Sequence, residues 1–148
     1  MSHRRTPFDL PASPEDTEAQ FYEAMQAGDV DRVMAVWSDE DEVVCVHPGG
    51  ARLTGVAEIR AGFETILANG GVYAEPERLR RVLTETTAVH SVLERVQVMS
   101  DEGPRLAWVI ATNVYVRGPQ GWRMVCHHAS AGTAHEAREA LEAAAMLH

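Results

Sequence analysis

Apolar residues first recur at helical spacing between Ser13 and Gly28, where Phe21, Tyr22 and Met25 share one face. Ser13 suits an N-cap, Pro14 suits the first helical position, and Asp16 lies three residues after the cap. Gly28 suits the left-handed residue that ends a helix, and Asp29 caps a second, shorter one carrying Val33, Met34, Val36 and Trp37. The charged run Ser38-Asp39-Glu40-Asp41-Glu42 reads as a solvated turn. It lacks the spaced oxygen ligands and central glycine of a calcium loop. Val43 to His47 is short and β-branched, which predicts a strand ended by Pro48-Gly49-Gly50. Thr54 or Gly55 opens a third helix with Val56, Ile59, Phe63, Ile66 and Leu67 on one face, and Asn69-Gly70-Gly71 closes it.

Beyond that point the period changes to two. Leu79 to Thr84, Val89 to Met99, Leu106 to Arg117 and Trp122 to Ser130 read as four strands of a meander. Asp101-Glu102-Gly103-Pro104 and Gly118-Pro119-Gln120-Gly121 form turns between them. The Ala- and Glu-rich run from His135 to Leu147 predicts a last helix. Helices segregated from an antiparallel sheet define an α+β fold. The expected organisation is an arm over 1–13, one domain over 14–131 and a helical tail over 132–148.

Composition narrows the functional classes. The chain has 148 residues, 45% hydrophobic and 24% charged, which suits one domain with one core. Its formal net charge of -9 argues against a nucleic-acid partner and against anionic membranes. No apolar run is long enough for a signal peptide or a membrane helix, so a cytoplasmic protein is expected. Cys45 and Cys126 lie in strand-like runs and read as free thiols.

The element order, together with three local signatures, resembles the nuclear transport factor 2-like superfamily. Phe21-Tyr22-Glu23-Ala24-Met25-Gln26-Ala27-Gly28-Asp29 is similar to the end of its first helix. His47-Pro48-Gly49-Gly50, followed by Leu53-Thr54-Gly55 and Ile59, resembles its strand, loop and third-helix entry. Gly121-Trp122-Arg123-Met124-Val125 and His127-His128-Ala129-Ser130 resemble the final strand of SnoaL-like and kinase-association-type members. The resemblance covers about residues 14–131. It implies a cystatin-like cone, in which a curved antiparallel sheet wraps around three N-terminal helices and leaves a cavity. It also implies a homodimer formed through the outer sheet face. It does not select a function, because one such scaffold hosts many.

The same resemblance points to His47. Ketosteroid isomerases place a catalytic Asp followed by Pro there, and an imidazole is an alternative base near neutral pH. The competing reading is a histidine of the cavity wall that only hydrogen-bonds. The isomerase also uses a tyrosine and a protonated aspartic acid to hold an enolate. Those positions match Phe21, which cannot donate, and Thr112, a weaker donor. Tyr22 is one residue along, about 100° away around an ideal helix.

His127 and His128 are adjacent on the last strand and so face opposite ways. If Arg117 pairs with Trp122, Thr112 lies opposite His127, and His127 faces inward with Val125. This is the expected register. It puts Trp108 and Ile110 on the cavity wall with Thr112, and Phe21 and Phe63 on the helix side. Asn113, Tyr115 and Arg117 then face outward, with His128 and Cys126 also on the outer side. No HExxH or CxxC spacing accompanies the histidines, so no metal and no cofactor is expected.

Two functions compete. One is a protein that binds a small, mostly apolar molecule, with His47 and His127 moving a proton in an isomerisation, cyclisation or lyase reaction. The other is a non-catalytic dimeric association module.

Overall fold

The computed structural model describes residues 11–138. The expected arm and tail lie largely outside the described residues. Of their described parts, Pro11 accepts a backbone hydrogen bond from Trp122 (3.4 Å), and residues 134–138 are helical.

Two helices, α1 (Pro14–Ala27) and α2 (Val30–Ala35), come first, and a third, α3 (Gly55–Ile66), follows two short strands. Their ends obey the local chemistry. The Asp16 amide donates to Ser13 Oγ (3.1 Å), and the Arg32 amide donates to Asp29 Oδ1 (3.1 Å). Gly28 adopts φ +68, and a side chain there would also press on the backbone of Gly70 and Gly71 at 3.0–3.3 Å. The chain thus reverses tightly after α1, and the Val72 amide returns to the Met25 carbonyl (2.9 Å).

The strands are β1 (Val44–Val46), β2 (Leu53–Thr54), β3 (Tyr73–Leu83), β4 (Thr87–Ser100), β5 (Gly103–Gly118) and β6 (Gly121–Ala131). They form one curved, unclosed sheet in the order β2-β1-β6-β5-β4-β3. Only the β1–β6 pair is parallel. The architecture is α+β, with the helices on one face of the sheet. β2 is an element that the sequence pattern did not reveal, since Leu53 and Thr54 read as the approach to α3. β3 starts well before the expected Leu79, because an edge strand tolerates Pro76, which pairs with Glu94.

Alternation on β4 and β5 sorts the residues by face. Ala88, His90, Val92, Glu94 and Val96 point toward the helices, as do Ala111, Asn113 and Tyr115. They close on Phe21, Ile59, Phe63 and Met124, all fully buried.

The β5–β6 register corrects the expected one. Arg117 does pair with Trp122, but Tyr115 pairs with Met124 and Val114 with Cys126. Val125 is therefore an extra residue, a β-bulge. Past the bulge every partner moves by one, so Asn113 lies opposite His127 and Thr112 opposite His128. A one-residue slip exchanges the faces. Trp108, Ile110, Thr112 and Val125 thus lie on the face away from the helices, while Asn113 and Tyr115 lie inside.

Candidate functional site

A cavity of about 140 Å³ opens between α1, α3 and the sheet. His47, Phe63, Glu94 and His127 line it, with Met25, Val96 and Val109 among its apolar walls. His47 sits just after β1 and His127 on β6. Pairing of Cys45 with His127 brings the two strands side by side. Four rings pack in a cycle around this end of the cavity. His47 meets Phe63 edge-on at 4.9 Å between centroids, Phe63 meets Phe21 at 5.9 Å, Phe21 meets His127 at 5.1 Å, and His127 meets His47 at 6.1 Å.

The structure brings His47, His127 and Phe63 together at the cavity. Phe21 backs the rings without reaching the opening. Trp108, Ile110, Thr112 and Val125 do not belong to it. Ile110 lies on the other face near Arg80 and Glu136, and Val125 borders a separate depression of about 390 Å³ beside Asp39, Glu40 and Arg123. The smaller cavity is the better chemical candidate, because it brings two imidazoles and a buried carboxyl to one apolar wall.

Behind the cavity lies a connected set of buried polar side chains. Glu18 and Tyr22 come from α1, His90 and Glu94 from β4, and Asn113 and Tyr115 from β5. Glu18 Oε2 accepts from Tyr115 Oη (2.8 Å), from His90 Nδ1 (2.8 Å) and, more weakly, from Asn113 Nδ2 (3.4 Å). Asn113 Nδ2 also donates to Tyr22 Oη (3.1 Å), and Tyr22 Oη donates to Glu94 Oε2 (2.6 Å). Asn113 Oδ1 accepts from His127 Nδ1 (2.6 Å). All six members and His127 are at most 6% exposed, so these bonds offset a desolvation cost that would otherwise oppose folding.

Sequence reading missed Glu18, His90 and Glu94, set Tyr22 aside, and placed Asn113 and Tyr115 on the outer face. Glu18 lies three and four residues before Phe21 and Tyr22, on their helix face, and Glu94 is in phase with Val92 and Val96. A charged residue in phase with the core is the signal that marks both. Asn113 carried no such signal, because its face depended on the bulge.

Burial tunes the proton affinities. It pushes the Glu94 carboxyl up to about 7, the nearby Glu18 carboxylate adds to the rise, and the Tyr22 hydrogen bond opposes it. Burial pulls His127 down to about 3, with His47 and His128 adding to the effect. Burial also lowers His47. Both imidazoles are thus neutral at pH 7, while Glu94 stands near half-protonation. Burial raises Tyr22 well above the usual phenol range, and the charge of Glu94 adds to this, so Tyr22 remains a donor. Cys45 Sγ is 3.5 Å from His47 Nε2, but burial pushes this thiol up to about 12, which leaves it neither nucleophile nor thiolate ligand. Among the described residues no three His, Cys, Asp or Glu side chains converge as metal ligands. No arginine or lysine is among the described residues that line the cavity.

Helices covering one face of a curved, unclosed sheet, with a cavity between them, define the nuclear transport factor 2-like superfamily. The chain belongs to its SnoaL-like domain family, whose model matches residues 15–134. One similar solved structure, from Thiobacillus denitrificans, is provisionally identified as a calcium/calmodulin-dependent protein kinase type II association domain. It is 36% identical, with 84% of this chain and 99% of that one covered and a TM-score of 0.76. Another, from Streptomyces avermitilis, is a provisional dehydratase of the nuclear transport factor 2-like family. It is 29% identical, with 80% and 93% covered and a TM-score of 0.71. A provisional ketosteroid isomerase from Parabacteroides distasonis shares the fold at 18% identity, with 82% and 89% covered and a TM-score of 0.65. No curated protein matches the chain. Among the described residues no helix is long and apolar enough to cross a membrane.

Proposed function

We propose that this chain binds a small, neutral, mostly apolar carbonyl compound in the cavity and moves a proton on it. The observation that carries this reading is a carboxyl raised to about 7 that shares an apolar-walled cavity with two neutral imidazoles. Titratable groups pushed in opposite directions are how a site obtains an acid and a base at one pH.

Protonated Glu94 donates to the carbonyl oxygen, and His47 accepts a proton from the adjacent carbon. The C–H electron pair passes into the new C=C bond, and the carbonyl oxygen takes the Glu94 proton to give the enol. Returning the His47 proton at a different carbon, while the enol O–H proton goes back to Glu94 and the carbonyl re-forms, completes an isomerisation. Alternatively, the enol O–H proton returns to Glu94 as the carbonyl re-forms, and the enol C=C pair shifts to the neighbouring carbon. The β-substituent then leaves with its bonding pair and takes the His47 proton, which completes a lyase step. His127 serves as a hydrogen-bond acceptor, since a base of such low affinity removes protons poorly.

The test is deuterium incorporation into cyclic enones in D2O, followed by NMR. Exchange should fall as pH rises through about 7, where Glu94 loses its proton. It should drop by roughly 10²–10⁴-fold in His47→Ala. Exchange no faster than buffer, or undiminished in His47→Ala, would contradict the assignment.

A second reading concerns assembly. Tyr73, Val82, Val89, Leu106 and Val116 lie on the face away from the helices and are 37–68% exposed. The relative from Thiobacillus denitrificans, with its provisional association domain, supports homodimerisation through this face. Sedimentation of the intact chain tests it: a dimer that Leu106→Glu dissociates is expected, and a monomer at micromolar concentration would rule it out.

A further inference from the structure

We propose that Asn113 is a positioning residue that holds His127 as its Nδ1–H tautomer, so that the cavity presents a bare Nε2 acceptor and selects neutral ligands carrying an O–H or N–H donor. The ligand half of this inference rests on the pocket reading above; the tautomer half does not.

The hydrogen-bond directions are fixed from the protein interior outward. Glu18 Oε2 already receives Tyr115 Oη and His90 Nδ1, both at 2.8 Å, and a carboxylate oxygen so placed is an acceptor. The Asn113 atom 3.4 Å from it must therefore be the amide nitrogen. The same nitrogen meets Tyr22 Oη at 3.1 Å, whose own hydrogen is committed to Glu94 Oε2 at 2.6 Å. Turning the amide over would set its oxygen against one oxygen that only accepts and another whose proton is already used. Each is a repulsive contact in a fully buried place. The other end of Asn113 is thus the carbonyl oxygen, and at 2.6 Å from His127 Nδ1 it requires a hydrogen on that nitrogen.

A neutral imidazole with its proton on Nδ1 has a lone pair on Nε2. Nε2 has no partner among the described residues, and His127 lines the cavity. The acceptor faces a space without cationic residues among the described walls, so a carboxylate brings repulsion and no compensation there. A small ring with a hydroxyl matches the volume of about 140 Å³ and supplies the missing donor. Glu18 makes no contact with the cavity, yet through Asn113 it decides which hydrogen-bond sense the wall offers.

The experiment uses the intact chain labelled with ¹⁵N-histidine, with the His127 signals assigned by comparison with His127→Gln. At pH 7 they should show one protonated Nδ1 and one unprotonated Nε2. An Nε2–H tautomer or a cationic ring would overturn the inference. Phenol and anisole, matched in shape, then test selection by titration in the same spectra. Phenol should bind about tenfold more tightly, the worth of one neutral hydrogen bond, and benzoate should not bind. In Asn113→Leu the preference for phenol should shrink and the tautomers should mix. Should that variant fail to fold, the wild-type tautomer and the phenol-to-anisole ratio still decide. Equal binding of phenol and anisole, or tight binding of benzoate, would overturn the selection. If neither phenol nor anisole binds while the tautomer is as stated, the pocket reading fails and the positioning role of Asn113 stands.

Discussion

On the helix side of β4, β5 and β6, polar side chains are among the most buried in the molecule: His90 and Asn113 are fully enclosed, and Glu94 is 5% exposed. On the opposite side of the sheet, apolar residues meet solvent: Leu106 on β5 is 50% exposed and Val82 on β3 68%. The inner face also carries the apolar core, with Ala88, Val92, Val96 and Ala111, so the buried polar set costs stability that the core must offset, since burying apolar area stabilises folding and burying charge opposes it. The difference teaches that neither face is arranged for stability alone. The inner face surrounds a cavity with groups of adjusted proton affinity, and the outer face leaves apolar residues exposed, the surface that the proposed dimer would use.

The contrast can be broken most severely at Glu18. Glu18→Ala leaves Tyr115, His90 and Asn113 without their acceptor and should cost about 3–5 kcal/mol in urea unfolding, as losing one partner of a buried charged cluster does. A loss under about 1 kcal/mol would mean that water replaces the carboxylate.

Glu94 behaves differently, because its charge opposes folding. Its folded proton affinity lies above that of an unfolded carboxyl, near 4.5. The folded state therefore binds the extra proton between the two values, and stability declines as pH rises from about 4.5 to about 7, then levels off. Glu94→Gln keeps an acceptor for Tyr22 and carries no charge. It should be more stable than wild type at pH 8 by up to about 3 kcal/mol, with the difference vanishing below pH 4.5. A difference independent of pH would show that Glu94 is charged throughout.

The smallest effect is expected at Thr112, next to Asn113 but on the other face. Thr112→Val should change unfolding free energy by no more than about 0.5 kcal/mol. A loss comparable to that at Glu18 would mean that the two faces are not distinct.

Much of this molecule is legible in its sequence. The caps at Ser13 and Asp29, the glycine stop at Gly28 and the change of period after Gly71 act locally, and they give the helices and the meander. His47 was reachable because a histidine before Pro48-Gly49-Gly50 ends a strand in a known scaffold. The inner wall was not legible, since it depends on one extra residue. Val125 and Cys126 on one side of β6 and Met124 on the other are all apolar, so nothing in the strand resists either phase. Without the bulge, Thr112 replaces Asn113 at the cavity and the whole polar set falls apart on paper. Glu18 and Glu94 are charges in phase with the core, a signal that sequence reading left unused. Only the fold shows that they converge through Tyr22 and Asn113.

The central claim, that the cavity holds a carboxyl able to give a proton at neutral pH, is tested most directly by following the side-chain ¹³C signal of Glu94 in glutamate-labelled protein from pH 4 to 9. A midpoint near 7 that disappears in Glu94→Gln is expected. A midpoint at the ordinary carboxylate value near 4.5 would contradict it and leave the cavity without its acid.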